Sequence, residues 1–241
     1  AIASSQTAMT AVASSQTAMT AVASSQTAMA AIFRSSTALQ VVQNNASAWA
    51  IFSNASSTVM GKTVAELAGL NPSGYADMNA IASSSTAMMA VCSSALAFNA
   101  ALKNSTARTQ LAESSYLQSN YDKLLSTIGN STYFSQKFDN IDSGAKRAIS
   151  GGNTDTTATA NESVFLCKKI GAWSNGNSVT GTVAHLQTKT TAGSISTRAG
   201  GGQSTNDYTT GGAQAKYICI GGCTFTENDD AYCCGIFAFA K

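Results

Sequence analysis

Few residues of this chain have the type and spacing that enzyme or metal chemistry requires. The single histidine, His185, lies within TVAHLQT, a predicted strand, so a structural or surface residue is favoured over a place in a Ser-His-Asp site. Cys219, Cys223, Cys233 and Cys234 lack a standard zinc spacing, and adjacent cysteines point to opposite faces of a strand. Buried packing is favoured over a disulfide or zinc. We therefore predict no catalytic residue, no metal and no cofactor.

Two polar motifs are poor matches to ligand-binding loops. The segment TENDD carries three carboxylates, on Glu227, Asp229 and Asp230, without the spacing of a calcium loop, which favours a solvated turn. The segment GGGQS has neither the lysine nor the strand–glycine–helix context of a phosphate-binding loop. Both motifs therefore indicate exposed loops.

Aromatic residues in polar, glycine-rich surroundings are better candidates for a binding surface. Trp173 lies in GAWSNGN and Tyr208 in NDYTT, where each ring could stack on a sugar beside hydrogen-bonding neighbours. The alternative for Trp173 is a place in a β core. Exposed loops carry function more often than cores do. The predicted receptor-binding residues are Trp173, Arg198, Asn206, Asp207, Tyr208, Glu227, Asp229 and Asp230.

The region that carries these loops reads as a β domain over residues 150–241. Fourteen of the 19 glycines lie between residues 151 and 241. SVFLCKKIGAW, SVTGTVAHLQTKT, AKYICIGGCTFT and AYCCGIFAFAK alternate and contain β-branched or aromatic residues, which is typical of strands. Gly221 and Gly222 predict a two-residue hairpin turn between apolar strands.

The rest of the chain is dominated by a ten-residue phrase, A-[IV]-A-S-S-Q-T-A-M, stated three times from Ala1. Apolar columns at steps of ten, such as Met9, Met19 and Met29, persist with lapses through most of residues 1–140. Residues 1–60 contain no glycine or proline, alanine is the strongest helix former, and the apolar spacings of seven and three fit a helix. A helical region is predicted.

The decad fits one continuous helix badly, and two arrangements remain open. Ten residues fall roughly 80° short of three turns, so long helices would have to overwind into a tight bundle. Alternatively, each Ser-Ser pair starts a new short helix, because serine is a preferred N-cap. The apolar stripe is narrow, so identical chains are expected to cover it, as a parallel homotrimer; the competing arrangement is a monomeric solenoid of short helices.

The decads divide into two segments around a break that holds the only proline. We predict a helical shaft over 1–60, a joint over 61–80 and a second helical shaft segment over 81–149, followed by the β head. A helix–turn–helix within one globule is the alternative to the joint. The predicted fold class is thus α+β and elongated, with an oligomeric shaft and an all-β C-terminal head.

Composition excludes several classes of function. Of the 241 residues only 11% are charged, and the net charge of +2 indicates no nucleic-acid partner. The sequence has no run of eighteen apolar residues, so it predicts no membrane span. The repeat is already under way at Ala1, so we expect a processed product or a fragment whose N-terminal anchor is out of view.

The phrases SSQTAMTAVASSQTAM and IASSSTAMMAVCSSALAFNAAL, the joint KTVAELAGLNPSGY and the glycine-rich tail resemble tail-fibre and other virion fibre proteins of tailed bacteriophages. The resemblance implies a homotrimer in the virion, a tip that binds a host-surface glycan or protein, and other virion proteins at the N-terminal end. It matches no catalytic motif, so we expect a structural protein and not an enzyme. The alternatives are a glycan depolymerase that uses paired carboxylates of the tail, and a bacterial adhesin.

Overall fold

The computed structural model describes residues 2–140, 154–158, 162–172, 178–198, 213–227 and 231–241. The chain forms two compact units, Ala1–Tyr116 and Leu117–Lys241. The first unit is helical, and the second carries two antiparallel sheets. The predicted α+β class is therefore confirmed.

The first unit consists of short helices, and each early decad forms one of them. The longest helix among the residues that the structure describes has 11 residues. The sequence left long and short helices open, and the structure has the short ones. After a 3₁₀ turn at Ile2–Ser4, the helices are α1 (Gln6–Ala13), α2 (Gln16–Ala23), α3 (Gln26–Phe33), α4 (Ser36–Asn44), α5 (Ala46–Phe52), α6 (Ser57–Leu67), α7 (Met78–Ala82), α8 (Ser85–Ser93), α9 (Ala95–Leu102) and α10 (Ser105–Glu113).

The Ser-Ser pair is what divides one helix from the next. At the boundary between α1 and α2, the Ser14 hydroxyl donates to the Thr10 carbonyl at 2.8 Å and closes the first helix. Ser15 then takes an extended backbone, and its Oγ accepts from the Ala18 N–H at 3.2 Å. That bond satisfies one of the amide groups left open at a helix start. One dipeptide therefore ends a helix and begins another.

The short helices stack with a period of three. α1 packs against α4, α2 against α5, α3 against α6, and α6 against α9, so three decads make one coil. Met9, Met19 and Met29 are at most 2% exposed within the single chain. The apolar columns thus find partners in neighbouring helices of the same chain, and burying them requires no second chain. The homotrimer remains a prediction, but the narrow apolar stripe is no longer an argument for it.

The predicted joint at 61–80 starts inside α6 and ends inside α7, and these two helices pack together. A Cβ on Gly61 would lie 2.1 Å from the Asp77 carbonyl carbon, so only glycine permits this approach. Gly69, at φ +77°, and a 3₁₀ turn at Pro72–Gly74 reverse the chain, and Asp77 caps α7. Within the first unit the segment is a turn between packed helices.

The second unit begins with a 3₁₀ turn (Gln118–Asn120) and helix α11 (Tyr121–Gly129), followed by eight described strands. Sheet A has the order β1-β8-β3-β6 and sheet B the order β2-β7-β4-β5. The strands are β1 (Phe134–Asn140), β2 (Thr154–Ala158), β3 (Ser163–Ala172), β4 (Ser178–His185), β5 (Thr191–Arg198), β6 (Ala213–Ile220), β7 (Gly222–Glu227) and β8 (Ala231–Ala240).

Three of these strands differ from the sequence prediction. β1 lies within the predicted second helical segment, 81–149, where YFSQKF alternates and Phe134 is buried. β2 is rich in threonine, and β5 in threonine and serine, so neither strand shows the apolar alternation that predicts one. The second unit accordingly begins at Leu117, ahead of the predicted boundary at residue 150.

The two sheets face each other across one apolar core. Phe165, Cys167, Cys219, Phe225 and Phe237 belong to it and come from β3, β6, β7 and β8. The predicted hairpin at Gly221 and Gly222 is wrong, because β6 belongs to sheet A and β7 to sheet B. Both glycines have positive φ, +76° and +105°, and the chain uses them to turn from one sheet into the other. The residues next to the turn, 218–223, are buried.

The free edge of β6 is covered by a side chain. The Gln118 amide donates to the Ile218 carbonyl at 2.9 Å and accepts from the Ile218 N–H at 2.7 Å. These bonds take the place of a neighbouring strand and blunt an edge that could otherwise pair with another chain. An exposed ion pair, Lys216 to Asp122 at 2.7 Å, adds a further link between α11 and β6.

None of the individual helices in the described ranges has the length and apolar character needed to cross a membrane. Helices α8 and α9 meet that test only as a pair, with a bend of 101° between them.

Candidate functional site

The strand registers of the second unit bring four chain connections to one end of each sheet. In sheet A, Ala172 pairs with Ala231, and Ile170 with Ala213, so β3 ends where β6 and β8 begin. The last residue of β1, Asn140, pairs with Cys234 near the same end. Four strand termini of sheet A therefore lie together.

Sheet B repeats this arrangement. The first residue of β4, Ser178, pairs with the last residue of β5, Arg198. Gly181 of β4 pairs with Glu227, and Thr154 of β2 pairs with Thr226, so β7 ends and β2 begins on that side. Only three residues separate β7 from β8, a span of at most about 14 Å. The matching ends of the two sheets are thus neighbours, and we call them the loop end of the sandwich.

All eight predicted receptor-binding residues belong to the loop end or to the connections that leave it. Arg198 is the last residue of β5, and Glu227 is the last residue of β7. The connections start and finish at described strand termini, while six of the predicted residues lie outside the described residues: Trp173, Asn206, Asp207, Tyr208, Asp229 and Asp230. Residues far apart in sequence thus belong to connections that share one end of the fold.

The opposite end of the sandwich is closed by short turns. Residues 186–190 join β4 to β5, with Lys189 in the left-handed region at φ 62° and its N–H donating to the His185 carbonyl at 2.9 Å. Gly221 is the single residue between β6 and β7, and its N–H donates to the carbonyl of Ser163 in β3 at 2.8 Å. These turns are held by backbone hydrogen bonds, so they offer fewer groups for recognition than long connections would.

His185 lies in this closed end, in the interior. Its side chain is 2% exposed, and Nδ1 accepts from the Ile220 N–H at 3.0 Å. Burial lowers the pKa of His185 to about 4, so the ring is neutral at physiological pH. The histidine links β4 of sheet B to β6 of sheet A. Of the two roles that the sequence left open, structural or surface, the structure shows the first.

Four cysteines form a buried thiol cluster in the core of the second unit: Cys167, Cys219, Cys223 and Cys233. Burial raises the pKa of Cys219 and of Cys233 well above the ordinary value, so these thiols are protonated. No group of three or more potential ligands suited to a metal ion occurs in the part of the chain that the structure describes.

The exposed hydroxyls of the first unit bond largely to their own helices. Thr10 Oγ1 donates to the Gln6 carbonyl and Thr20 Oγ1 to the Gln16 carbonyl, each at 2.9 Å. Glu66 accepts from Gln26 and from Arg34, the latter at 2.5 Å, and so ties α6 to α3 and its C-cap. Such a surface repeats every ten residues and offers little that is specific to one ligand.

A shallow groove of about 230 Å³ in the first unit escaped sequence analysis. Asn79, Gln110, Glu113 and Tyr116 line it, and the Ser114 hydroxyl donates to the Ala82 carbonyl across its floor at 2.5 Å. Amides, a carboxylate and an exposed tyrosine are groups that bind polar ligands. The one signal in the sequence was that Glu113 and Tyr116 break the Ala/Ser/Thr composition.

Comparison with protein-family models gives no match, and the search of curated proteins likewise finds no significant relative. The geometry of the two units is therefore the basis for a functional proposal.

Proposed function

We propose that this chain is a structural fibre protein of a bacteriophage virion and that the loop end of its second unit binds a receptor on the host surface. The observation that carries the proposal is the convergence of four connections on one end of the sandwich. A rigid framework that presents several long or polar connections together is a common design for recognition. The receptor class that we propose is a surface glycan or protein.

The composition of the connections supports this assignment. The connection between Arg198 and Ala213 is long and rich in glycine and threonine, and it contains Asp207 and Tyr208. Tyrosine combines a large apolar face with a hydrogen-bonding hydroxyl, and such side chains contribute strongly to binding. The connections described at the closed end of the same sandwich, residues 186–190 and Gly221, are short turns. The two ends therefore predict different roles.

The repeats of the first unit support its proposed role as a shaft. Its decads repeat one supersecondary element, and stability in such arrays is set mainly by neighbouring repeats. Its hydroxyls are largely occupied by its own backbone, which leaves a uniform surface of low charge. We propose that it acts as a spacer that other virion proteins anchor, and that it carries no enzymatic activity.

Binding to whole bacteria and to arrays of bacterial surface polysaccharides tests the proposal. The fluorescently labelled full chain is compared with a loop-end variant, Asp207→Ala with Tyr208→Ala. A matched control, Thr188→Ala with Thr190→Ala, changes two polar residues in the turn at the closed end. We expect the loop-end variant to lose at least about tenfold in binding, which is the effect of a strong contact residue, and the control to stay within about twofold.

Three results would count against the proposal. Absence of binding to every cell and glycan tested would contradict a receptor-binding role. Equal binding by both variants would move the contact away from the Asp207–Tyr208 connection. Release of oligosaccharides from a bound polysaccharide, abolished by Glu227→Gln, would replace the structural role by that of a depolymerase.

The proposed homotrimer has a separate test. Native mass spectrometry should give three times the chain mass of 24.6 kDa. Three loop ends on one particle would bind a repeating surface with avidity even where each contact is weak. A monomer at micromolar concentration would contradict the trimer and leave the receptor assignment to the binding experiment.

A further inference from the structure

Within the buried thiol cluster, Cys167 and Cys233 are in direct contact. Their Sγ atoms lie 3.1 Å apart, and both side chains are fully buried. Cys167 belongs to β3 and Cys233 to β8, the two central strands of sheet A. Neither the decad shaft nor the receptor proposal gives these thiols a role.

The backbone around the pair holds the two strands unusually close. Cys167 lies opposite Gly235, and the register of β3 against β8 shifts between Cys167 and Lys169, so that Cys233 lies opposite Ile170. A Cβ on Gly235 would lie 2.1 Å from the Leu166 carbonyl oxygen, so a glycine is required there. The two thiols meet in the core of the second unit, beside the glycine at which β8 passes close to β3.

We propose that Cys167 and Cys233 are an oxidisable dithiol, which closes to a disulfide between β3 and β8 when the chain folds in the presence of a small-molecule disulfide. The site is a covalent modification site in the core of the second unit. It does not depend on receptor binding, so its failure and that of the proposed function are distinguishable.

The reaction is thiol–disulfide exchange and it balances. One cysteine thiolate attacks the small-molecule disulfide, forms a mixed disulfide and releases one small thiolate. The second cysteine thiolate then attacks the protein sulfur of the mixed disulfide and releases the second small thiolate. The protein loses two protons and two electrons, and the small disulfide is reduced to two thiols.

The timing of this reaction follows from burial. The thiolate is the reactive form, and burial both shields Cys233 and raises its pKa, so the folded dithiol reacts slowly. In the unfolded chain both thiols are accessible. The bond is therefore expected to close during folding and not after it.

Refolding of the full chain from denaturant in oxidised and reduced glutathione tests the proposal. Intact mass should fall by about 2 Da relative to refolding in reductant, the loss of two hydrogens in one disulfide. Peptide mapping without reduction should link the peptides of Cys167 and Cys233. The oxidised second unit should melt about 5–10 °C higher, because the bond restricts the unfolded chain. Folded protein in the same buffer for the same time should keep its mass.

Two sets of variants separate this pair from the other cysteines. Cys92→Ala removes a buried thiol of the first unit, and Cys219→Ala with Cys223→Ala removes the other two cluster thiols; both should retain the 2 Da loss. Cys167→Ala and Cys233→Ala should each abolish it. If either single variant does not fold, the peptide map of a Cys234→Ala chain decides, because Cys234 lies next to Cys233 and shares its peptides. Unchanged mass after oxidative refolding, a link between other cysteines, or rapid oxidation of the folded chain would overturn the proposal.

Discussion

The two units reach a buried core by opposite routes. In the first unit, a helix packs on the helix three positions along the chain, so contacts join residues roughly one coil apart. In the second unit, β1 pairs with β8 and Phe134 lies opposite Ala240, across nearly the whole unit. Repeat arrays of the first kind are stabilised mainly by contacts between neighbouring repeats. A sandwich of the second kind depends on contacts between distant strands and is expected to unfold as a single cooperative unit. The difference can be tested with matched substitutions.

Two glycines provide the sharpest test, because each allows a close backbone approach. A Cβ would lie 2.1 Å from the Asp77 carbonyl carbon at Gly61, and 2.1 Å from the Leu166 carbonyl oxygen at Gly235. Neither backbone can move without losing its own partners, so Gly61→Ala and Gly235→Ala should each cost more than about 3 kcal/mol. Hydrogen exchange should show loss of protection confined to the helices near α6 and α7 for Gly61→Ala. It should show loss across all described strands for Gly235→Ala.

Equal spreading of the damage in the two variants would contradict the comparison. Gly74→Ala and Gly129→Ala serve as controls, since a Cβ at either position meets nothing within 4 Å.

The next largest effect is expected at a buried methionine of the decads. Met19 is fully buried between helices of the same chain, so Met19→Ala should destabilise the first unit by about 2–4 kcal/mol through lost contacts and a cavity. Urea denaturation followed by circular dichroism measures this loss. If a trimer and not the chain itself buried this column, the loss would depend on protein concentration. A concentration-independent loss is the expected result.

In the helical unit, the features that depend on residues close in sequence could be predicted. Alanine content predicted helices, and the Ser-Ser pair offered the short-helix alternative that the structure adopts, because capping involves residues three apart. The stacking partner was missed, since a narrow apolar stripe gives no sign of whether its cover comes from the same chain or another. Which helix covers the stripe depends on how the chain coils, with each helix packed on the helix three positions along.

The second unit shows where local rules fail. Gly221 and Gly222 satisfy the rule for a hairpin, yet the flanking strands join different sheets, and only the non-local pairing of β6 with β3 and β7 with β4 decides this. The candidate connections were chosen from composition alone, through their glycines and polar residues. Their gathering at one end depends on strand register, which the sequence does not display.

The third prediction uses pH to act on the second unit. Burial lowers the pKa of His185 to about 4, below its ordinary value of 6.5, because the charged form of the ring loses its contact with water. Between pH 6.5 and 4 the unfolded chain binds a proton at the histidine that the folded chain does not bind. The free energy of unfolding is therefore at its full value above pH 6.5 and falls as pH drops towards 4, by up to about 3 kcal/mol. Denaturant melts of the second unit across this range measure the loss.

A matched variant isolates the histidine from the carboxylates that also titrate in acid. The Oδ1 of His185→Asn can accept from the Ile220 N–H as Nδ1 does, and it does not titrate. The pH dependence between 6.5 and 4 should flatten in that variant, while the first unit, which contains no histidine, should keep its own profile. An unchanged slope would assign the acid sensitivity to other groups.

The smallest effect is expected within a single Ser-Ser pair, and it tests how local the helical unit is. Ser15 caps the start of α2 through the Ala18 N–H, so Ser15→Ala should destabilise the first unit by about 1 kcal/mol. Ser14 donates to a carbonyl that its own backbone N–H already contacts, at 3.0 Å, so Ser14→Ala should cost less than about 0.5 kcal/mol. Urea denaturation of the two variants side by side measures the difference between starting a helix and ending one. Equal losses would mean that coil stacking and not the serine cap divides the decads into separate helices.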